Sequence, residues 1–174
     1  MQETEHGLVP ADEEGWFVVN LADTPAMRHE EFGSGMIFEA QPGQFPHFGI
    51  NVRWLEPGDP ASVYHSESAQ EAFLILLGEA TLLVDESERP LRQWDFVHLP
   101  PHTPHAVVGA GDRPCAILMV GARLGDEHTI TFPRSEVAGR HGASVRESTD
   151  SRQEAYADRS GELIPRSSFW PPAD

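Results

Sequence analysis

Short apolar runs recur along this chain between glycines, prolines and polar clusters. Runs of that length, bounded by breakers, predict strands rather than helices. The candidates are WFVVN (16–20), GMIFEA (35–40), FGINVRWL (48–55), AFLILL (72–77), ATLLVD (80–85), DFVHLP (95–100), HAVVG (105–109) and CAILMVG (115–121). Glycine and proline, 15 of each, supply the punctuation between them. Eight or so short strands at this spacing predict an all-β domain, either a small antiparallel β-barrel or a two-sheet jelly roll. AFLILL is apolar on both faces, as expected where a filled interior lies on one side and a covering layer on the other. The segment DESERPLRQWD (85–95) carries mixed charge and reads as a solvated hairpin.

With 174 residues and 39% hydrophobic content the chain suits one domain. The barrel is expected over 16–122, behind a mobile acidic arm at 1–15. An extension over 123–174 is rich in Arg, Ser, Asp and Glu. Its apolar residues Tyr156, Leu163, Ile164, Phe169 and Trp170 would dock on the barrel wall or on a second subunit, and a homodimer is expected; a disordered tail is the alternative that composition leaves open.

The formal charge is −16, and all 12 basic residues are arginine. The absence of lysine removes Schiff-base chemistry, a lysine general base and the P-loop lysine. Strong negative charge opposes nucleic acid and anionic membrane surfaces as partners, which leaves a small-molecule substrate or ligand. Cys115, the only cysteine, lies in an apolar run, so no internal disulfide forms and a reducing cytoplasm is expected. MQETEHGLVPADEE has neither a cationic start nor an apolar stretch, so no signal peptide is expected, and no segment reaches the roughly 18 apolar residues of a membrane span.

The chemistry concentrates in YHSESAQEAFLILLGE (64–79). Residues two apart on a strand share a face, so His65 and Glu67 can reach one point, and Glu71 heads the following strand. A second stretch, WDFVHLPPHTPHAVVG (94–109), has a strand, a loop stiffened by Pro100, Pro101 and Pro104, and then His105 opening another strand. One imidazole and two carboxylates beside a buried run call for a partner, and a cation is one.

The order His65, Glu67, Glu71, Gly78 and then Trp94, Pro100, His102, His105 resembles the two-part signature of the cupin superfamily, G-x5-H-x-H-x3,4-E-x6-G and G-x5-P-x-G-x2-H-x3-N. About 60 residues carry the resemblance, from Gly58 to roughly Gly121. It implies an antiparallel barrel or jelly roll enclosing one divalent metal (Fe, Mn, Ni or Zn) bound at the positions of His65, Glu67, Glu71 and His105. Four positions depart from the signature: Glu67 stands for the second histidine, Trp94 and His102 for glycines, and Gly109 for the asparagine; Gly58 also lies one residue too far from His65. Two imidazoles and two carboxylates bring a bound dication to a net charge near zero, weakening it as a Lewis acid. In the alternative, His65, Glu71 and His105 make the two-histidine, one-carboxylate set of non-haem iron chemistry and Glu67 is free as a base. The expected function is dioxygenase-like oxidation or metal-assisted isomerisation of a small polar molecule, with Glu67 and Glu71 moving protons or tuning the metal. A non-catalytic metal- or small-molecule-binding protein is the rival.

Four further residues are pocket candidates: Arg53 as a fixed cation for an anionic substrate, His98 from its strand, His102 at the site mouth, and Gln70 beside Glu71. Each has a bland alternative, namely solvated faces for Arg53 and His102, a core position for His98 and a turn for Gln70. His6, His29, His47, His128 and His141 show no converging spacing and read as surface residues.

Overall fold

The structure is a computed structural model that describes residues 1–10, 15–39, 45–157 and 160–165. Its strands in chain order are β1 (Gln2–Thr4), β2 (Gly7–Val9), β3 (Ala26–His29), β4 (Gly33–Met36), β5 (Phe48–Leu55), β6 (Ser66–Glu67), β7 (Glu71–Leu77), β8 (Glu79–Val84), β9 (Ser87–Arg92), β10 (Phe96–Leu99), β11 (His105–Ala110), β12 (Cys115–Ala122), β13 (Ile130–Thr131) and β14 (Gly161–Ile164). Two short helices, α1 (Glu136–Arg140) and α2 (Arg152–Ala155), fall in the extension. Seven strands pair in the order β10-β7-β12-β5-β4-β3-β14, and three more in the order β11-β8-β9. Every pairing is antiparallel.

The inner faces of these two sheets share one apolar core. Phe73, Ile75, Leu55 and Ile117 come from the larger sheet and Leu82 and Val107 from the smaller. The alternation expected of strands with one face in a core places these residues, each on the opposite face from its chain neighbours. The outer faces are covered as well. Leu83, Ala106 and Val108 of the small sheet pack under Tyr64, Val137 and Ala138, with α1 started by Ser135, whose Oγ accepts from the Ala138 amide at 3.0 Å. This second layer accounts for runs that are apolar on both sides.

The extension lies on the chain's own barrel. Strand β13 pairs with β6, and β14 adds to β3. Phe132, Ala155 and Tyr156 form a cluster with Phe32 and Val63, and Ile164 joins the outer cluster of the larger sheet. Leu163 is exposed, and Phe169 and Trp170 lie outside the described residues.

Several expectations need correction. WFVVN is not a strand: Trp16 and Val18 are 90% and 82% exposed. Strand propensity reflects packing against neighbours, and among the described residues no strand pairs with this segment. The arm is instead a hairpin in part, with β1 and β2 paired from Gln2↔Val9 to Thr4↔Gly7. The strand expected at 35–40 ends at Met36 and starts at Gly33, and Ala26–His29, too polar to stand out as a run, is its partner. β9 pairs along its length with β8 through a two-residue turn at Asp85 and Glu86, both with positive φ, as a primed hairpin turn requires. Among the described residues no helix is long and apolar enough to cross a membrane.

Candidate metal centre

His65 and His105 are brought together by the main chain. Their amides and carbonyls exchange hydrogen bonds of 3.0 and 2.8 Å across an antiparallel bridge. Directly opposed residues on antiparallel segments point their side chains to the same face, and the two imidazole centroids stand 4.7 Å apart. Glu71, at the start of β7, reaches the same point over Gly121 of β12. Gly121 is the register partner of Glu71, and a Cβ there would make only ordinary contact with the Glu71 side chain, 3.5 Å from its Cγ.

One donor atom from each of His65, Glu71 and His105 falls within 4.8 Å of the other two. His105 Nε2 lies 3.2 Å and His65 Nε2 4.0 Å from Glu71 Oε2. Both rings are fixed in the same tautomer: His65 Nδ1–H donates to the Val63 carbonyl at 2.7 Å, and His105 Nδ1–H to the Thr103 carbonyl at 2.9 Å. Each Nε2 therefore presents a lone pair to the site, and that of His105 is sealed from solvent with no hydrogen-bond partner. The group that faces this buried lone pair is the Glu71 carboxyl, 3.2 Å away, and a cation between the two would satisfy both. The residues thus fit a divalent metal, with two neutral imidazoles and one carboxylate.

The electrostatics agree. Burial, and then the neighbouring His105, pushes His65 down to about 3. Burial also lowers His105, so both rings are neutral at neutral pH, the form in which an imidazole can ligate a metal. Glu71 is raised to about 8, first by burial and then by the charge of Glu67, a shift that a bound cation would reverse.

Glu67 stands apart from this group. Its Oε1 is 3.7 Å from His65 Nε2, but its carboxylate is also held by residues of the extension, His128 at 3.3 Å and Arg152 at 3.8 Å. Of the four expected donors, those of His65, Glu71 and His105 lie within 4.8 Å of one another, and Glu67 lies beside His65 while also contacting the extension. Neither His128 nor Arg152 could be found from spacing, because the fold alone brings the extension over β6.

A cavity of about 320 Å³ opens beside the site, lined by Arg53, Asn51, His65, Glu67 and Glu71 among others. A second, wider one of about 740 Å³ shares Asn51, Glu67 and Glu71 with it and reaches His128 and Arg123. Arg53 faces the smaller cavity, and so does His29, which sequence placed at the surface. His98, His102 and Gln70 are exposed and line neither cavity. His98 alternates with buried Val97 and Leu99, so β10 turns it outward. Gln70 points to solvent, its carbonyl accepting from the Ala122 amide at 3.0 Å.

The two residues that replace motif glycines keep the glycine backbone: Trp94 has φ 74° and His102 φ 66°. The Trp94 amide donates to the Ile75 carbonyl at 2.8 Å and the His102 amide to the Glu67 carbonyl at 2.6 Å. The turns serve the strands that carry the site, so their shape persists without the residue type that adopts it most easily. Gly109, in place of the motif asparagine, has the Glu56 carbonyl oxygen 2.3 Å from where a Cβ would lie.

Residues 52–121 match the model of the cupin domain family. No curated protein matches the chain. Among solved structures, a sugar phosphate isomerase of the cupin superfamily from Silicibacter pomeroyi is 18% identical, with a TM-score of 0.54 over 90% of this chain and 96% of that one. A polyketide cyclase from Streptomyces resistomycificus is 17% identical, TM-score 0.54, covering 62% of this chain and 80% of that one. A predicted oxalate decarboxylase from Thermotoga maritima is 18% identical, TM-score 0.54, covering 62% of this chain and all (100%) of its own. At such identities the likeness is one of fold.

Proposed function

We propose, from the match of residues 52–121 to the cupin domain family, that the chain is a metal-dependent enzyme acting on a small polar molecule, with His65, Glu71 and His105 as ligands. The observation that carries this reading is the sealed, unpartnered Nε2 of His105 beside Glu71 and His65. When bound, an Fe, Mn, Ni or Zn ion would supply Lewis-acid polarisation or, for Fe and Mn, redox chemistry with dioxygen. Two histidines and one carboxylate favour dioxygenase-like oxidation.

The protein's own contribution is positioning and proton transfer. The Val63 and Thr103 carbonyls hold the rings in place and in one tautomer. Glu67 is the proton carrier: it borders the cavity, and His128 connects it to the wider opening. That same placement supports a second reading, isomerisation, in which Glu67 takes a proton from carbon and returns it to a neighbouring position. The experiment is metal analysis of the purified protein, followed by oxygen-uptake and solvent-deuterium-exchange screens with enols, thiols and hydroxy-carbonyl compounds. Oxygen uptake supports oxidation, and exchange without uptake supports isomerisation. Bound metal with neither activity would leave a non-catalytic binding protein.

A further inference from the structure

The smaller cavity holds a cation that the metal site does not use. Arg53 lies on β5 opposite Gly35 of β4. Its Nη2 donates to the main-chain carbonyls of Phe32 and Ala61, whereas its Nε is sealed from solvent with no acceptor. Among the described residues no carboxylate pairs with it. Arg123 and Arg152, by contrast, have Glu39 at 2.6 Å and Glu67 at 3.8 Å. Carbonyl dipoles orient a guanidinium without cancelling its charge, and a buried charge lacking a counter-ion is costly.

Asn51 adds the complementary group. Its Nδ2 donates to the Met36 carbonyl at 3.2 Å, which fixes the amide and leaves Oδ1 as an acceptor, buried and without a donor. The two side chains meet at Gly35: a Cβ there would lie 2.8 Å from Arg53 Nη1 and 3.2 Å from Asn51 Oδ1. An unneutralised cation and an unused acceptor, side by side on the wall of one cavity, match a ligand with an anionic oxygen next to a hydroxyl.

We propose that Arg53 and Asn51 form a subsite for a small hydroxy acid, its carboxylate on Arg53 and its hydroxyl donating to Asn51 Oδ1. The proposal rests on the cavity named in the functional reading, and it makes the substrate or product of that reaction an organic acid. It does not need the metal to be present. A single carboxylate suits the site better than a phosphate dianion, because Glu67 and Glu71 line the same cavity and repel added negative charge. The cavity, about 320 Å³, suits a compact acid.

The test uses the full chain after chelator treatment, with glycolate, lactate and malate as probes. Propionate serves as the acid without a hydroxyl, lactamide as the neutral analogue and inorganic phosphate as the rival anion. Calorimetric binding and a rise in Tm of a few degrees at roughly hundredfold excess over Kd are expected for at least one hydroxy acid. Propionate binds more weakly and lactamide not at all. Arg53→Gln weakens hydroxy-acid binding roughly tenfold or more, and Arg53→Lys by less. Asn51→Asp, which places an internal carboxylate beside Arg53, removes binding in a folded chain even if Arg53→Gln does not fold. No binding by any of the acids, phosphate binding tighter than all of them, or wild-type binding by folded Arg53→Gln or Asn51→Asp would each overturn the subsite. Metal content is measured on the same proteins before chelation and after reloading with Fe, Mn, Ni or Zn: metal bound without acid binding sinks the subsite alone, and acid binding by a chain that takes up no metal sinks the metal reading alone.

Discussion

Glu67 and Glu71 sit four positions apart in one motif, yet different parts of the molecule hold them. Glu71 rises from a seven-residue strand in the middle of the barrel, over a glycine, against two buried imidazoles. Glu67 belongs to a two-residue strand paired with β13, and it is held by His128 and Arg152. The first carboxylate is part of the barrel's rigid frame, and the second is tied to the extension laid over it. The proposed function assigns ligation to the first and proton transfer to the second, since a ligand must stay in place whereas a proton carrier must exchange partners.

The largest expected difference between them is in metal binding. His105→Gln or Glu71→Gln lowers metal affinity by more than about 100-fold, since losing even an outer partner of a ligand costs about 10–100-fold. Glu67→Gln changes it by less than about tenfold, while turnover falls by about 10²–10⁴ as expected for a lost general base. Isothermal titration with metal, set beside turnover, reads both. Equal losses of affinity for Glu67→Gln and Glu71→Gln would make Glu67 a fourth ligand.

The next effect is pH dependence. Glu71 must ionise to bind a cation, and it stands at about 8 without one. Metal affinity therefore rises about tenfold per pH unit toward 8 and levels off above it. In the metal-free chain, folded Glu71 holds its proton up to about 8 but unfolded Glu71 only to about 4.5. Its contribution is present at low pH and lost as pH rises between those values. Folded His65 stands at about 3 against 6.5 unfolded, which removes stability as pH falls below 6.5. Above 6.5 Glu71 dominates, so denaturant titration of metal-free protein should show stability declining from pH 6.5 to 8. A rise across that range would mean that Glu71 is already ionised.

Smaller effects come from the turns behind the frame. Gly109→Asn restores the motif residue but drives a Cβ against the Glu56 carbonyl, and should destabilise by about 1–3 kcal/mol. Trp94→Gly should be neutral or stabilise by up to about 1 kcal/mol, because the left-handed backbone is strained for tryptophan and the side chain is 68% exposed. Calorimetric Tm values check both: Gly109→Asn should fall below wild type and Trp94→Gly should not.

These regions also mark where sequence was readable. FGINVRWL matches β5 end to end, and the runs that form β7, β8, β11 and β12 lie within a residue or so of their strands, because each buries apolar groups on both faces. His65, Glu71 and His105 were legible because their spacing is local to two strand starts. The extension was not: β13, β14, His128 and Arg152 take their places from long-range contacts that no local periodicity encodes. WFVVN failed for the converse reason, since it has the composition of a strand but among the described residues no strand pairs with it.

Metal content per chain, measured by elemental analysis on wild type, His105→Gln, Glu71→Gln and Glu67→Gln purified side by side, reads the division between the two carboxylates directly. Wild type and Glu67→Gln should carry about one divalent ion each and the other two none. Equal content in all four folded proteins, or none in the wild type after loading with Fe, Mn, Ni or Zn, would contradict a metal centre at His65, Glu71 and His105.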